Sequence, residues 1–323
     1  MIQVRKYNIR DKERWDDFVS LAKNATFLFN RDFMEYHKDR FEDYSLLCFY
    51  KDKLIGILPA NIEDGIVYSH NGLSYGGLVI HTETKFEKYV CIFENILKYL
   101  CENNIKTLFI KELPSIYSNI SSGELEYIQF LLKAKLSKVD ISSTIKLNSI
   151  IEFTTLRKRG VKKGVYNNLK IIEVSKMDSF WEEILIPNLL NKHNVLPVHS
   201  LEEINSLKEY FPDKIRQFNV YDNEILVAGT TIFETNKVVH TQYISGNSDK
   251  NKLGSLDFLY NYLISEVFKD KVFFDFGIST ENKGKNVYKG LLFWKEGFGA
   301  RTTTCKTYKI ETRNYKKLEL VFI

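Results

Sequence analysis

Cysteine, a one-sided charge and long uncharged apolar runs are all scarce in this 323-residue chain, and each scarcity closes off a class of protein. The four cysteines, Cys48, Cys91, Cys101 and Cys305, lack Cys-x-x-Cys spacing, and each sits in an apolar or strand-like run. That pattern excludes a disulfide scaffold and reads as reduced core thiols of a cytosolic protein. Lys and Arg number 46 against 41 Asp and Glu, and the resulting net charge of +5 is too slight to name a partner. No uncharged stretch is long enough for a bilayer and no signal core opens the chain, so a cytoplasmic protein without membrane contact is expected. What the chain has in quantity is apolar and aromatic side chain, 44% and 14%, enough to fill two cores.

Taken in order, the pattern predicts a strand over residues 2–7 and a helix over 10–22 that turns Trp15, Phe18 and Leu21 to one side. Strands over 44–50, 54–61 and 66–69 follow as a meander, then a glycine-rich run over 70–77, a helix over 86–101 and a strand over 106–112. A helix over 121–134, a strand over 139–147, a basic segment over 156–164 and a helix over 179–191 come next. The second half then repeats the first: strands over 218–221, 225–234 and 238–246, a helix over 256–268 and a strand over 272–277. Gly56 and Gly229 hold matching strand positions, as do His70 and His240. The expected fold class is therefore α+β, a duplicated unit of mostly antiparallel sheet flanked by helices, divided into residues 1–150 and 151–323.

Several residue types point to chemistry. Imidazole titrates near neutrality, which makes His240 the first candidate for a proton acceptor; the plain alternative is a hydrogen-bonded core histidine. Asp275, set between phenylalanines, is either a desolvated base or a structural partner of Lys289 or Lys295. In a regular strand Gln242 shares a face with His240 and Tyr243 does not. The polar loop before Gly254-Ser255 feeds a helix N-terminus, whose amides and dipole favour an anion, unless it is an ordinary connection. His70, Asn71 and Tyr75 in the glycine-rich run suit sugar hydroxyls or a phosphate, or mark a bend. Arg157, Lys158, Arg159, Lys162 and Lys163 suit a diphosphate or a tRNA backbone, or form a solvated helix face. His193 and His199 have no Cys or carboxylate to complete a zinc set, so acceptor recognition is expected there and no metal.

The run Phe274-Asp275-Phe276-Gly277-Ile278-Ser279-Thr280-Glu281, with Gly290-Leu291 and Phe293-Trp294-Lys295-Glu296-Gly297-Phe298-Gly299-Ala300-Arg301 after it, resembles the signature of FemAB-like proteins, the two-domain form of GNAT acyltransferases. So does the segment from His193 to Ser200. The loop Asn251-Lys252-Leu253-Gly254-Ser255 departs from the family's Gly-x-Gly pattern and keeps only the last glycine and a small residue. The resemblance implies tandem GNAT-like domains, the second one seating coenzyme A at Asn251, Lys252, Leu253, Gly254 and Ser255. It implies His240, Asp275 and Gln242 at the reacting centre, and His70, Asn71, Tyr75, His193, His199, Ser279 and Glu281 on the acceptor. The implied function is transfer of an acetyl or 3-hydroxybutanoyl group from acyl-CoA to the amine of a dTDP-aminodideoxyhexose for O-antigen or capsule, by a monomer or homodimer. The alternative is a FemX-like aminoacyl-tRNA-dependent transferase of peptidoglycan bridges. The slight charge excess, the single basic cluster and the lack of a coiled-coil arm weigh against nucleic acid.

Overall fold

The computed structural model describes residues 1–148 and 152–323, which form two compact units, residues 1–140 with 304–323 and residues 141–303. The expected division between residues 150 and 151 lies outside the described residues, and it placed the chain's end in the second unit. Residues 304–323 pack instead in the first. There Thr307 to Glu311 pair with Lys111 to Thr107, Thr312 Oγ1 donates to the Ile105 carbonyl, and Leu318 joins the core.

In the first unit the strands are β1 (Ile2–Lys6), β2 (Glu42–Asp43), β3 (Leu46–Tyr50), β4 (Lys53–Leu58), β5 (Asn61–Glu63), β6 (Ile66–Tyr68), β7 (Val79–Ile80) and β8 (Thr107–Lys111). Its helices are α1 (Lys12–Leu21), α2 (Arg31–Met34), α3 (Phe86–Glu102) and α4 (Glu124–Leu131). One sheet runs β1-β3-β4-β7, and β8, β6, β5 and β2 follow one another in a second. Apolar residues recur along α3 at helical spacing, so Tyr89, Val90, Phe93, Ile96, Leu97 and Leu100 form one buried face against the core. On α1, Trp15 and Phe18 are buried as the spacing predicts, but Leu21 is exposed because the helix ends there.

β9 (Lys135–Lys146) leads into the second unit, which continues with α5 (Thr155–Tyr166), β10 (Lys170–Val174), α6 (Asp178–Phe180), α7 (Ile186–His193) and α8 (Leu201–Tyr210). Then come β11 (Ile215–Asp222), β12 (Ile225–Glu234), β13 (Val238–Gly246), α9 (Lys250–Leu253), α10 (Ser255–Tyr262) and β14 (Phe273–Ile278). The hairpin β15 (Thr280–Glu281) and β16 (Asn286–Val287), α11 (Lys289–Glu296) and β17 (Arg301–Glu311) complete the chain's regular elements. The sheet order is β10-β11-β12-β13-β14-β9, antiparallel except for β13 and β14. That parallel pair requires a crossover, and α9 with α10 supplies it. The helix expected over 179–191 is interrupted by a π turn at Trp181–Leu185, with Pro187 in the first turn of α7. No helix among the described residues is long and apolar enough to cross a membrane.

Candidate active site

β13 and β14 pair at three rungs, Val238–Phe273, Val239–Phe274 and His240–Asp275, and no further rung joins them among the described residues. Beyond that point β13 follows β12 to Gly246 while β14 follows β9, so the two strands form a fork that closes at His240 and Asp275. Across the last rung His240 Nδ1 meets Asp275 Oδ2 at 3.0 Å. The other oxygen, Oδ1, accepts from the Ser142 hydroxyl, from Thr144 Oγ1 at 3.4 Å and from the Gly277 amide at 3.0 Å. Three donors on one buried oxygen favour the carboxylate and leave Asp275 to orient the imidazole rather than to act as a base itself. Nδ1–H then donates to Oδ2, which makes Nε2 the acceptor nitrogen of the ring.

Gly277 supplies this geometry with a left-handed backbone, φ 75°, and a Cβ there would lie 3.3 Å from His240 Cε1. The same turn is held by Lys295, which is buried and donates from Nζ to the Gly277 and Ile278 carbonyls at 2.8 Å each. Burial pushes this ammonium down to about 8. Of the two partners weighed for Asp275, Lys295 bonds backbone carbonyls, and the Asp275 charge acts on it to offset part of that lowering.

At the open end of the fork lies a cavity of about 910 Å3. Ile244, Ser245 and Gly246 of β13 line it together with α5, α7, the α9 to α10 connection, Glu281, Tyr288 and α11. His240 sits at the closed end and does not itself line the cavity. Five cations do: Arg157, Arg159, Lys163, Lys192 and Lys250. Arg157 is bound to Asp257 Oδ1 at 2.5 Å, an oxygen that also accepts from Trp294 Nε1 at 2.9 Å. Burial raises the Asp257 carboxyl, and Arg157 and the Trp294 bond pull it back. Lys250 is lowered by burial and by the charge of Lys192 beside it, so two like charges share the wall.

Among the residues singled out from sequence, Asn251 and Gly254 line the cavity and Lys252, Leu253 and Ser255 do not. The expected anion seat is partly spent: the Leu253 and Gly254 amides close α9 onto the Asp249 and Lys250 carbonyls, and Lys163 Nζ caps the Asn251 carbonyl. Gly254, at φ 73°, lies so close under α5 that a Cβ would come 2.2 Å from the Gly160 carbonyl. Gln242 is the extra residue of a β-bulge, because Thr231 pairs with Tyr243 and Ile232 with Thr241. The bulge breaks the alternation that put Gln242 beside His240, and the Gln242 side chain bonds Tyr243 instead.

Others turn inward. His199 is buried with Nδ1 2.6 Å from the Tyr243 hydroxyl, which burial pushes up to about 12. His70 is buried against His37 and Phe41, and its Nδ1 accepts from the Gly72 amide. Tyr75 is buried with its hydroxyl 2.9 Å from Thr26 Oγ1, and the Asn71 amide donates to Asn61 Oδ1. Both His70 and Tyr75 are buried, because the glycine-rich run folds back onto β8. Ser279 is buried, and its hydroxyl has no partner among the described residues. Glu281 lies in the cavity wall. His193 ends α7, and its side chain lies outside the described residues. Sequence reasoning did not single out Ser142 and Thr144, although two hydroxyls at alternate positions of an expected strand share one face. No cluster of three or more metal-ligating side chains occurs among the described residues.

No family model matches the chain, and no curated protein does. Solved structures do. FemX overlays 98% of this chain and 99% of its own with a TM-score of 0.67 at 9% identity. L-PGS from Bacillus licheniformis covers 95% of this chain and 93% of its own at TM-score 0.61 and 10% identity. A tandem GNAT protein from the clavulanic acid biosynthesis pathway covers 97% and 99% at TM-score 0.51 and 11% identity. The fold is therefore the tandem GNAT-like, FemX-type fold, with the fork and its His–Asp pair in the second unit.

Proposed function

We propose that this chain is an N-acyltransferase that takes an acyl group from a phosphate-bearing carrier in the basic cavity and passes it to an amine at the fork. The observation that carries the reading is the fork itself, which closes on an oriented imidazole and opens on a cation-walled cavity. Amide formation needs the attacking amine as a free base, and Nε2 of a carboxylate-held imidazole is a suitable acceptor for its proton. As the N–C bond forms, the carrier leaves with its oxygen or sulfur and takes up a proton. Holding both reactants in one cleft supplies the remaining advantage.

Aminoacyl-tRNA is the favoured carrier. The cations of α5 do not stop at the cavity: Arg157, Arg159 and Lys163 line it, while Lys158 and Lys162 lie outside on the exposed face of the same helix. Such a strip suits a polyanion larger than the cavity, with only its acylated end inside. Part of the loop expected to cradle a pyrophosphate has closed its amides within α9, and FemX gives a closer overlay than the tandem GNAT protein. The second reading, transfer from acyl-CoA to a dTDP-aminosugar, is supported by the enclosed volume at the α10 N-terminus.

The test sets both carriers side by side. Labelled aminoacyl-tRNA is offered with a peptidoglycan-precursor peptide bearing a free amine, and acetyl-CoA and 3-hydroxybutanoyl-CoA are offered with dTDP-aminosugars. Label transfer from tRNA upholds the first reading; thiol release without label transfer moves the assignment to the second. Silence in both arms sinks the proposal. For tRNA, binding should weaken steeply with salt, and Arg159→Ala together with Lys162→Ala should flatten that slope.

A further inference from the structure

The ionic groups of the cavity are laid out unevenly. All five cations come from α5, α7 and α9, whereas the wall made of β15, the turn into α11 and α11 itself contributes Glu281, Tyr288, Gly290, Leu291 and Trp294, with no cation. Two carboxylates line the space. That of Asp257 is occupied by Arg157 and Trp294, and that of Glu281 makes no ion pair or hydrogen bond with any described residue. Because Glu281 pairs with none of the five wall cations, the cavity stays anionic on one side and cationic on the other.

A ligand that matches both sides carries phosphate at one end and a positive charge at the other. An aminoacyl ester on a phosphodiester carrier has that polarity, because its α-ammonium sits one carbon from the reacting carbonyl. A plain acyl group on the same carrier has the anion but not the cation. We infer that Glu281 receives the ammonium of an aminoacyl donor and so selects amino-acid esters over uncharged acyl groups. This deepens the transfer reading above and rests on its placement of the donor in the cavity. The contact is a charge-assisted hydrogen bond at a half-open site, so the discrimination expected is roughly tenfold.

The experiment uses the full chain and two pairs of donors that differ only in amine against hydroxyl: alanyl-tRNA with lactyl-tRNA, and alanyl-CoA with lactyl-CoA. Dissociation constants are measured for each. The intact protein should hold the alanyl member about tenfold tighter, and Glu281→Gln should erase that alanyl-over-lactyl ratio, with an unchanged urea unfolding midpoint showing that the variant is folded. Glu281→Asp should keep part of it. An alanyl preference that survives Glu281→Gln, or no preference on either carrier in the intact protein, overturns the inference. Should tRNA fail to bind while a Glu281-dependent preference for alanyl-CoA persists, the carrier assignment fails and the role of Glu281 stands.

Discussion

Among the described residues each unit has a parallel pairing of two strands, and the two pairs end differently. In the second unit β13 leaves β14 after His240 and a cavity opens beyond the fork. In the first, β6 lies parallel to β8 at Val67–Leu108 and Tyr68–Phe109, and the chain after β6 stays on β8. Ser69 and Gly76 donate their amides to the Phe109 and Lys111 carbonyls, and Lys111 Nζ caps the Asn71 and Leu73 carbonyls at 2.9 Å each. Both pairs are held by a lysine that loss of solvent pushes down to about 8, half-buried Lys111 in one and buried Lys295 in the other. Lys111 ties the following loop across the opening, whereas Lys295 ties β14 only to itself. Among the described residues, one copy thus ties its loop across the parallel pair and the other has a cavity beyond it.

The largest effect that would sharpen this contrast is on rate. Asp275→Asn removes the acceptor that orients His240, and transfer should fall by about 100-fold or more with little change in stability. A variant that turns over normally would break the assignment of the fork as the reacting centre. In the first unit the corresponding loss is structural: Lys111→Met strands buried carbonyls and should cost roughly 3 kcal/mol in urea unfolding while kcat stays level. Lost turnover at unchanged stability would mean that the first unit also acts. Gly254→Ala drives a Cβ into the Gly160 carbonyl from a left-handed backbone and should cost about 2 kcal/mol and weaken carrier binding. Gly290→Ala, in the same cavity wall with open space around it, should do neither.

The smallest effect concerns acid. Burial lowers His37 to about 4 and His70 to about 3, with Arg40 facing the first, and His37, Arg31 and Lys111 facing the second. Both rings are easier to protonate unfolded, near 6.5, than folded. Stability is therefore full above about pH 6.5 and drains as pH falls toward 4. At pH 5.5 His37 alone should account for about 1.4 kcal/mol relative to pH 7.5. His37→Phe should flatten that part of the curve, and a urea midpoint that does not move between these two pH values would refute the account.

Much of the second unit's pattern is legible in the residues. Alternating and β-branched runs place β12 and β13, and helical spacing extends from α10 through the π turn at Leu263–Val267. His240 and Asp275 stand out as titratable groups in apolar strands. The cavity's far wall was not legible, because Leu185, Asn188, Leu189 and Lys192 come from a helix broken by a π turn far along the chain from β13. Gln242 is itself the inserted residue, so alternation does not fix its facing and Tyr243 after it takes the facing opposite to the one alternation gives; alternation alone carries no mark of a bulge. His70 and His240 occupy matching positions in sequence, yet one is packed between rings and the other is held by a carboxylate.

Sequence by itself determined the elements, their repetition and the reactive side chains on the strand pair, because these follow from local periodicity and residue chemistry. Tertiary structure alone decided where β13 and β14 part, which carboxylate meets the imidazole and which cations wall the cavity. Those outcomes depend on where separate strands part and on which side chains meet across them, distances that no neighbouring residues encode.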